Sequence, residues 1–277
     1  MAETRIAIMY DFDKTLSTTD MQNYTFIPKL GMTPDQFWGR TTEFSQETGC
    51  ERILSYMYVM IDEARKKGIK VTRKYLKECG KKIEFYPGVL DWFKRINEYG
   101  ASKDVIVEHY LVSSGTREIV EGCAIFKEFF QAWGCQYLFN ENDEAIWPKY
   151  AINYTQKTQF FFRIAKGAFD LTNDAAVNEK TENDKRRVQY PNIIYMGDGM
   201  TDIPCMTLVK KNAGNSIAVY KPSEREKVKQ IYDEHRCDYI AEADYTEGKE
   251  IDRIIKMIID KAALTRDMQE TKEDLAK

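Results

Sequence analysis

A chain of 277 residues, 43% hydrophobic and 31% charged, is long enough to bury one sizeable core or two smaller ones. Its 41 basic and 44 acidic side chains leave a net charge of −3, so no basic excess suits it to a nucleic acid polymer. No apolar run approaches the length that spans a bilayer, so no membrane role is expected. The opening residues Met1-Ala2-Glu3-Thr4-Arg5 lack the charged-then-apolar order of a signal peptide. Cys50, Cys79, Cys123, Cys135, Cys205 and Cys237 show neither zinc-type pairing nor the density of a disulfide framework. Reduced thiols and a cytoplasmic location are the expectation.

The apolar run Ile6-Ala7-Ile8-Met9-Tyr10 predicts a buried strand ending in Asp11-Phe12-Asp13-Lys14-Thr15. Carboxylates at the carboxyl end of such a strand stand where open α/β sheets bind ligands. Taken alone, the segment also reads as a polar strand exit whose Thr15 caps the next helix. A mostly helical stretch follows to about residue 82. Thr33-Pro34-Asp35-Gln36 predicts a helix start, and residues 53–61 followed by a basic run and Gly68 predict a helix and its stop. Glu84-Phe85-Tyr86-Pro87-Gly88 marks re-entry into the core, and residues 89–96 predict an amphipathic helix.

His109-Tyr110-Leu111-Val112 reads as a second strand leading into Ser113-Ser114-Gly115. His109 and His235 are the two histidines; His109 at a strand start reads as structural, which argues against a histidine-dependent phosphatase or a Ser-His-Asp hydrolase. Tyr137-Leu138-Phe139 and Ala151-Ile152-Asn153-Tyr154 are expected to form a hairpin around the polar turn at 140–144, before a helix at 160–164. Residues 178–187 read as a solvated loop or helix end. Ile193-Ile194-Tyr195-Met196 predicts a strand running into Gly197-Asp198-Gly199-Met200-Thr201-Asp202, where the glycines permit a tight turn. A later strand at 216–220, a helix opened by Pro222 and a helix at 251–259 complete the pattern, with the polar residues after Thr265 expected to fray. Alternating strands and helices imply a mostly parallel, doubly wound sheet.

In this order the segments resemble the haloacid dehalogenase superfamily, and within it the phosphoserine-phosphatase-like phosphomonoesterases. Asp11-Phe12-Asp13-Lys14-Thr15-Leu16 is similar to the first motif of that family, Ser113-Ser114-Gly115 to the second, and Gly197 through Asp202 to the fourth. Lys157 is similar to the third-motif lysine; Lys166 is the alternative, read otherwise as a solvated lysine near a helix C-terminus. The resemblance implies a Rossmann-like α/β core formed by residues 1–16 and 83–277, with a small helical cap at 17–82. It also implies that Asp11, Asp198 and the Asp13 carbonyl hold Mg²⁺, with Asp202 acting nearby or through water.

The chemistry of these residue types is coherent. A carboxylate such as Asp11 can attack phosphorus and divide hydrolysis into two displacements through an aspartyl-phosphate. Asp13 can protonate the leaving alcohol and then take a proton from water. Phosphoryl transfer needs chiefly positioning and charge neutralisation, for which Mg²⁺, Lys157, the Ser113 hydroxyl and the Ser114 and Gly115 amides are suited. In the resembled family an acid at the position of Asp13 accompanies phosphate chemistry, and its absence accompanies carbon–halogen cleavage. Lys14 stands where many members carry glycine and reads as a solvated surface lysine. Trp38, Arg40, Glu43, Tyr56 and Met57 are the candidate cap contacts to a leaving group. The expectation is a Mg²⁺-dependent phosphatase of small phosphorylated metabolites; a phosphotransferase, or a phospho-ligand binding protein without turnover, uses the same residues.

Overall fold

The computed structural model describes residues 3–276. Seven strands form one sheet: β1 (Arg5–Tyr10), β2 (Ile106–Thr116), β3 (Gln131–Phe139), β4 (Ala145–Tyr150), β5 (Ile193–Gly197), β6 (Asn215–Tyr220) and β7 (Tyr239–Glu242). Their order is β4-β3-β2-β1-β5-β6-β7, and every neighbouring pair is parallel except β3 with β4. The helices are α1 (Phe26–Lys29), α2 (Pro34–Thr48), α3 (Arg52–Lys66), α4 (Arg73–Gly80), α5 (Val89–Ala101) and α6 (Arg117–Val120). They continue as α7 (Gln159–Lys166), α8 (Asp174–Asn178), α9 (Ile203–Lys211), α10 (Arg225–Asp233) and α11 (Glu250–Leu275). No helix among the described residues is long and apolar enough to cross a membrane. The architecture is the expected Rossmann-like α/β one.

The central position of β1 follows from its composition. Ile6 through Tyr10 are buried, as a strand covered on both faces requires. Its last side chain anchors the layer below: Trp92 Nε1–H donates to the Tyr10 hydroxyl at 2.8 Å, and that hydroxyl donates to His109 Nδ1 at 2.9 Å. His109 Nε2–H reaches Asn97 Oδ1 at 3.0 Å, so the buried histidine is fully satisfied as a neutral ring, in the structural role expected of it.

From β1 the chain crosses to β2 on one side, and it later returns to β5 on the other. The crevice between the carboxyl ends of β1 and β5 is therefore the topological switch point of the sheet. Between β1 and α5 lie only helices and turns among the elements, α1 to α4. Helix α2 starts with a reciprocal cap, in which Thr33 Oγ1 accepts from the Gln36 amide and Gln36 Oε1 from the Thr33 amide, and ends at Gly49 with φ 70°. The Glu51 carboxylate caps α3 by accepting from the Ile53 and Leu54 amides. Phe44 and Tyr58 stack between the two helices at 4.6 Å.

This helical layer is fastened to the sheet edge. The Tyr137 hydroxyl donates to Met57 O at 2.8 Å, the Ala145 amide to Val71 O at 2.8 Å, and Arg73 Nε to Asp143 Oδ1 at 3.0 Å.

Several expectations need correction. The hairpin partner of β3 is β4 at Ala145–Tyr150, not residues 151–154, which follow the strand. The turn at 140–144 is where it was expected, held by Asn140 Oδ1 accepting from the Asn142 and Glu144 amides. Pro148 and the exposed Ile146 and Trp147 disguise β4 as non-strand; Pro is tolerated there because β4 is an edge strand. The chain beyond Thr265 is helical to Leu275 as the last turns of α11. Strand β7 carries no signal that the sequence reading used.

Candidate active site

Both acidic motifs arrive at the switch point because each follows a buried strand. The Asp11 amide donates to Met196 O at 2.9 Å, which ties the first acidic turn to β5. Asp11, Asp198 and Asp202 converge there, each offering a carboxylate oxygen within 4.8 Å of the others. Of the two candidate lysines, Lys157 is the one in this cluster. It lies in the single 3-10 turn Gln156–Thr158 ahead of α7, is 1% exposed, and places Nζ 2.8 Å from Asp11 Oδ1 and 2.9 Å from Asp202 Oδ1. Lys166 lies elsewhere, donating to Val177 O at 2.7 Å and to Glu179 O, so it ties α7 to the end of α8.

Asp202 is the hub of the cluster. It is fully buried; Oδ1 accepts from Lys157 and from the Tyr195 hydroxyl at 2.6 Å, and Oδ2 accepts from the Asp198 and Gly199 amides at 3.1 and 3.3 Å. Four donors fill what a carboxylate can accept, so Asp202 acts from behind Asp11 and Asp198. Gly197 makes this possible: a Cβ there would lie 2.4 Å from Asp202 Cγ.

Burial and like charge shape the acids. Burial raises the Asp11 carboxyl to about 6, Lys157 opposing that rise and Asp202 adding to it. Burial, with Asp202 and Asp11 nearby, raises Asp198 to about 8. Burial, then Asp20 and Asp11, holds the Asp13 carboxyl well above the usual range, which favours its protonated form. Burial opposes the charge on Lys157, but the Asp11 and Asp202 carboxylates outweigh it and push its pKa up.

Asp13 Oδ1 accepts from the Met21 amide at 2.7 Å, which leaves Oδ2 to face Gly115. A Cβ on Gly115 would stand 3.1 Å from Asp13 Oδ2 and 2.1 Å from Met21 Cε, so a larger residue there would displace the buried Met21 side chain beside Asp13. Ser113 is buried with its hydroxyl accepting from the Gly115 amide at 2.9 Å, while Ser114 is the serine in the cavity wall. Ser113 to Gly115 belong to the irregular last turn of β2, where the pairing register with β3 shifts between Val112 and Thr116. Lys14 is not a free surface lysine: its φ is 58°, it is half-buried, and Nζ pairs with Asp20 Oδ2 at 2.9 Å. A left-handed φ at this position accounts for glycine being acceptable there.

Asp11, Asp13, Lys14, Ser114, Lys157 and Asp198 line a cavity of about 400 Å³ that Arg52, Ile53, Tyr154, Thr201 and Lys227 also reach, whereas Ser113, Gly115 and Asp202 lie behind its wall. None of those five was a candidate site residue from sequence, although Thr201 belongs to the fourth motif. Arg52 and Ile53 open α3, and Tyr154 precedes the turn of Lys157, positions that only the tertiary fold brings over the acids. A second chamber of about 420 Å³ adjoins it beneath α2 and α3. Among the proposed cap contacts, Trp38 and Tyr56 line this chamber. Arg40 and Glu43 pair loosely with each other at 3.8 Å, Arg40 also lies 3.8 Å from Glu47, and Met57 is buried in the packing.

The mostly parallel seven-stranded sheet with its helices is a fold shared with a haloacid-dehalogenase-family hydrolase and with phosphoserine phosphatase. A hydrolase of that family from Salmonella enterica subsp. enterica serovar Typhi superposes with a TM-score of 0.54 at 20% identity, over 82% of this chain and 65% of that one. Phosphoserine phosphatase, solved as an analogue of its phospho-aspartyl intermediate, superposes with a TM-score of 0.56 at 16% identity, over 92% of this chain and 99% of that one. At the level of sequence, an uncharacterized protein of Borreliella burgdorferi is 27% identical over 277 residues, covering 90% of this chain and 94% of the other. No protein-family model matches the chain.

Proposed function

We propose that the chain is a Mg²⁺-dependent phosphomonoester hydrolase working through an aspartyl-phosphate on Asp11, with residues 17–82 as its cap. The observation that carries this reading is the placement of Lys157 between Asp11 and Asp202 at the switch point, with Asp13 two residues beyond the nucleophile. A small phosphorylated metabolite and a cytoplasmic setting go with it.

The donor set fits Mg²⁺. Three carboxylates offer hard oxygen atoms within reach of one another, and Asp198, whose carboxyl burial raises to about 8, has no side-chain hydrogen bond or ion pair among the described residues. Asp11, Asp198 and the Asp13 carbonyl would hold the ion, with Asp202 behind them. When bound, it supplies positive charge against the phosphoryl oxygens.

This chain's own residues supply the rest. Lys157 holds Asp11 in place and offsets phosphate charge in a site where burial strengthens electrostatics. The Asp11 carboxylate attacks phosphorus as the alcohol oxygen departs. Asp13, whose charged form burial and two neighbouring acids disfavour, gives its proton to that oxygen. The resulting Asp13 carboxylate then takes a proton from the water that cleaves the acyl-phosphate. The Ser113 hydroxyl accepts from the Gly115 amide and holds the second motif in shape, while Ser114, the serine in the cavity wall, is the one beside the phosphate.

The test is phosphate release from a metabolite panel and an activated aryl phosphate, with Mg²⁺ or with chelator, alongside Asp11→Asn. Mg²⁺-dependent release that vanishes in the variant supports the reading. Release that persists in folded Asp11→Asn defeats it.

A further inference from the structure

The cavity over the acids has two chambers of different character, joined end to end. The first holds Asp11, Asp13, Lys157 and Asp198. The second takes Trp38 and Tyr56 as its aromatic walls, with Thr41, Thr42 and Glu51 beside them. Lys14, Asp20, Arg52, Ile53, Tyr154 and Thr201 line both and form the junction between them. The carboxylate cluster and Lys157 thus lie on one side of this junction, and Trp38 and Tyr56 on the other.

The aromatic chamber is larger than a small alcohol such as serine or glycerol can fill. Its rings are also unequally committed. Tyr56 is fixed, its hydroxyl donating to Ser114 O at 2.7 Å, and its ring meets that of Trp38 edge-on with centroids 6.1 Å apart. The Trp38 indole N–H is already satisfied by Asn23 Oδ1 at 3.2 Å, so the indole offers the chamber apolar surface without an unpaired donor. Tyr154 is 49% exposed and stacks on no other ring among the described residues. An exposed aromatic side chain lining one chamber with two seated ones offers the apolar surface that takes a flat ring.

We infer that the ester hydrolysed at this site is built as phosphate, polar spacer and flat ring, the order of a nucleoside 5′-monophosphate. The phosphate sits over Asp11, the spacer hydroxyls face Asp20 and Thr201 at the junction, and the ring lies against Trp38 and Tyr154. This inference rests on the phosphatase reading and adds the substrate class to it. Trp38 and Tyr154 are specificity residues here and take no part in the chemistry.

The experiment compares kcat/KM for nucleoside 5′-monophosphates, O-phosphoserine and 4-nitrophenyl phosphate, in the wild type, Tyr154→Ala and Trp38→Leu. The expected result is at least one mononucleotide preferred over O-phosphoserine by about tenfold or more, since a ring stacked on aromatic side chains accounts for a preference of that order. Tyr154→Ala, an exposed position that leaves the core untouched, raises KM for the mononucleotide severalfold more than it changes KM for O-phosphoserine. O-phosphoserine turned over as well as every mononucleotide, or both substrates affected equally by Tyr154→Ala and Trp38→Leu, overturns the inference while the phosphatase reading stands. If no ester is hydrolysed, the phosphatase reading fails and the chamber is tested by calorimetry with the same mononucleotides. Binding weakened by Tyr154→Ala then supports the ring site, and absence of binding overturns it.

Discussion

Replacing Asp202 by asparagine preserves shape and removes one acceptor oxygen, which isolates the hub of the site. The aspartate takes four hydrogen bonds in full burial, two at each oxygen. An asparagine amide retains only one oxygen. If that oxygen faces the Asp198 and Gly199 amides, the NH₂ group points at the Lys157 ammonium; if it is flipped, the NH₂ group points at two backbone N–H groups. Either way two donors meet a donor, although the Tyr195 hydroxyl can turn to accept. Each buried group left unpaired costs about 1–3 kcal/mol, and breaking a buried ion pair from one side costs about 3–5 kcal/mol. Lys157 keeps Asp11, so the lower end applies: Asp202→Asn is expected to lose about 3 kcal/mol of stability. The assay is urea unfolding at pH 7.5 in chelator, which removes any linkage to bound metal. Asp198→Asn is the control, because it removes a carboxylate that burial and two acids disfavour, and the metal-free protein is expected to be no less stable for it. A loss under about 1 kcal/mol in Asp202→Asn, or equal losses in both variants, would refute the hub argument.

Asp13→Asn is expected to slow alkyl phosphates far more than 4-nitrophenyl phosphate, whose leaving group needs no proton; equal slowing in steady-state assays counts against the acid role. Gly197→Ala would drive a methyl to within 2.4 Å of Asp202 Cγ, so phosphate release and the rise in Tm on adding Mg²⁺ should both disappear. His109 gives a pH signature away from the site: burial lowers its pKa to about 3, so the unfolded chain binds a proton below about pH 6.5 that the folded chain refuses. Stability is therefore expected to fall by about 1.4 kcal/mol per pH unit from pH 6.5 towards 3 through this group. In His109→Gln the slope measured by denaturant unfolding between pH 6.5 and 4.5 should flatten, and an unchanged slope would contradict the assignment.

Legibility in the sequence tracked how local each signal was. Asp11 and Asp198 could be found because each ends an apolar run of strand length, and the sheet order then places those two strand ends side by side. Lys157 has no such local mark and stood out through resemblance alone. Tyr195 reads as one more apolar strand residue, yet its hydroxyl reaches Asp202, a contact set by the turn that folds Asp202 back over Gly197. Helical spacing separates Trp38 from Arg40 by about 200°, so those two could not face one chamber together. Only the direction of α2 shows that the indole is the inward one. Arg52 is remote from every motif in chain order, and Tyr154, although only three residues before Lys157, carries no mark of its own; the fold brings both to the cavity.

The central claim is a covalent phosphoryl group on Asp11, and the direct measurement is to trap it. The protein is mixed with substrate and Mg²⁺, quenched, reduced with borohydride and digested for mass spectrometry. The account predicts substrate-dependent conversion of residue 11 to homoserine, enhanced in Asp13→Asn, where the water that cleaves the acyl-phosphate lacks its base. Turnover with Asp11 unmodified at every quench time, or homoserine at another aspartate, would contradict it.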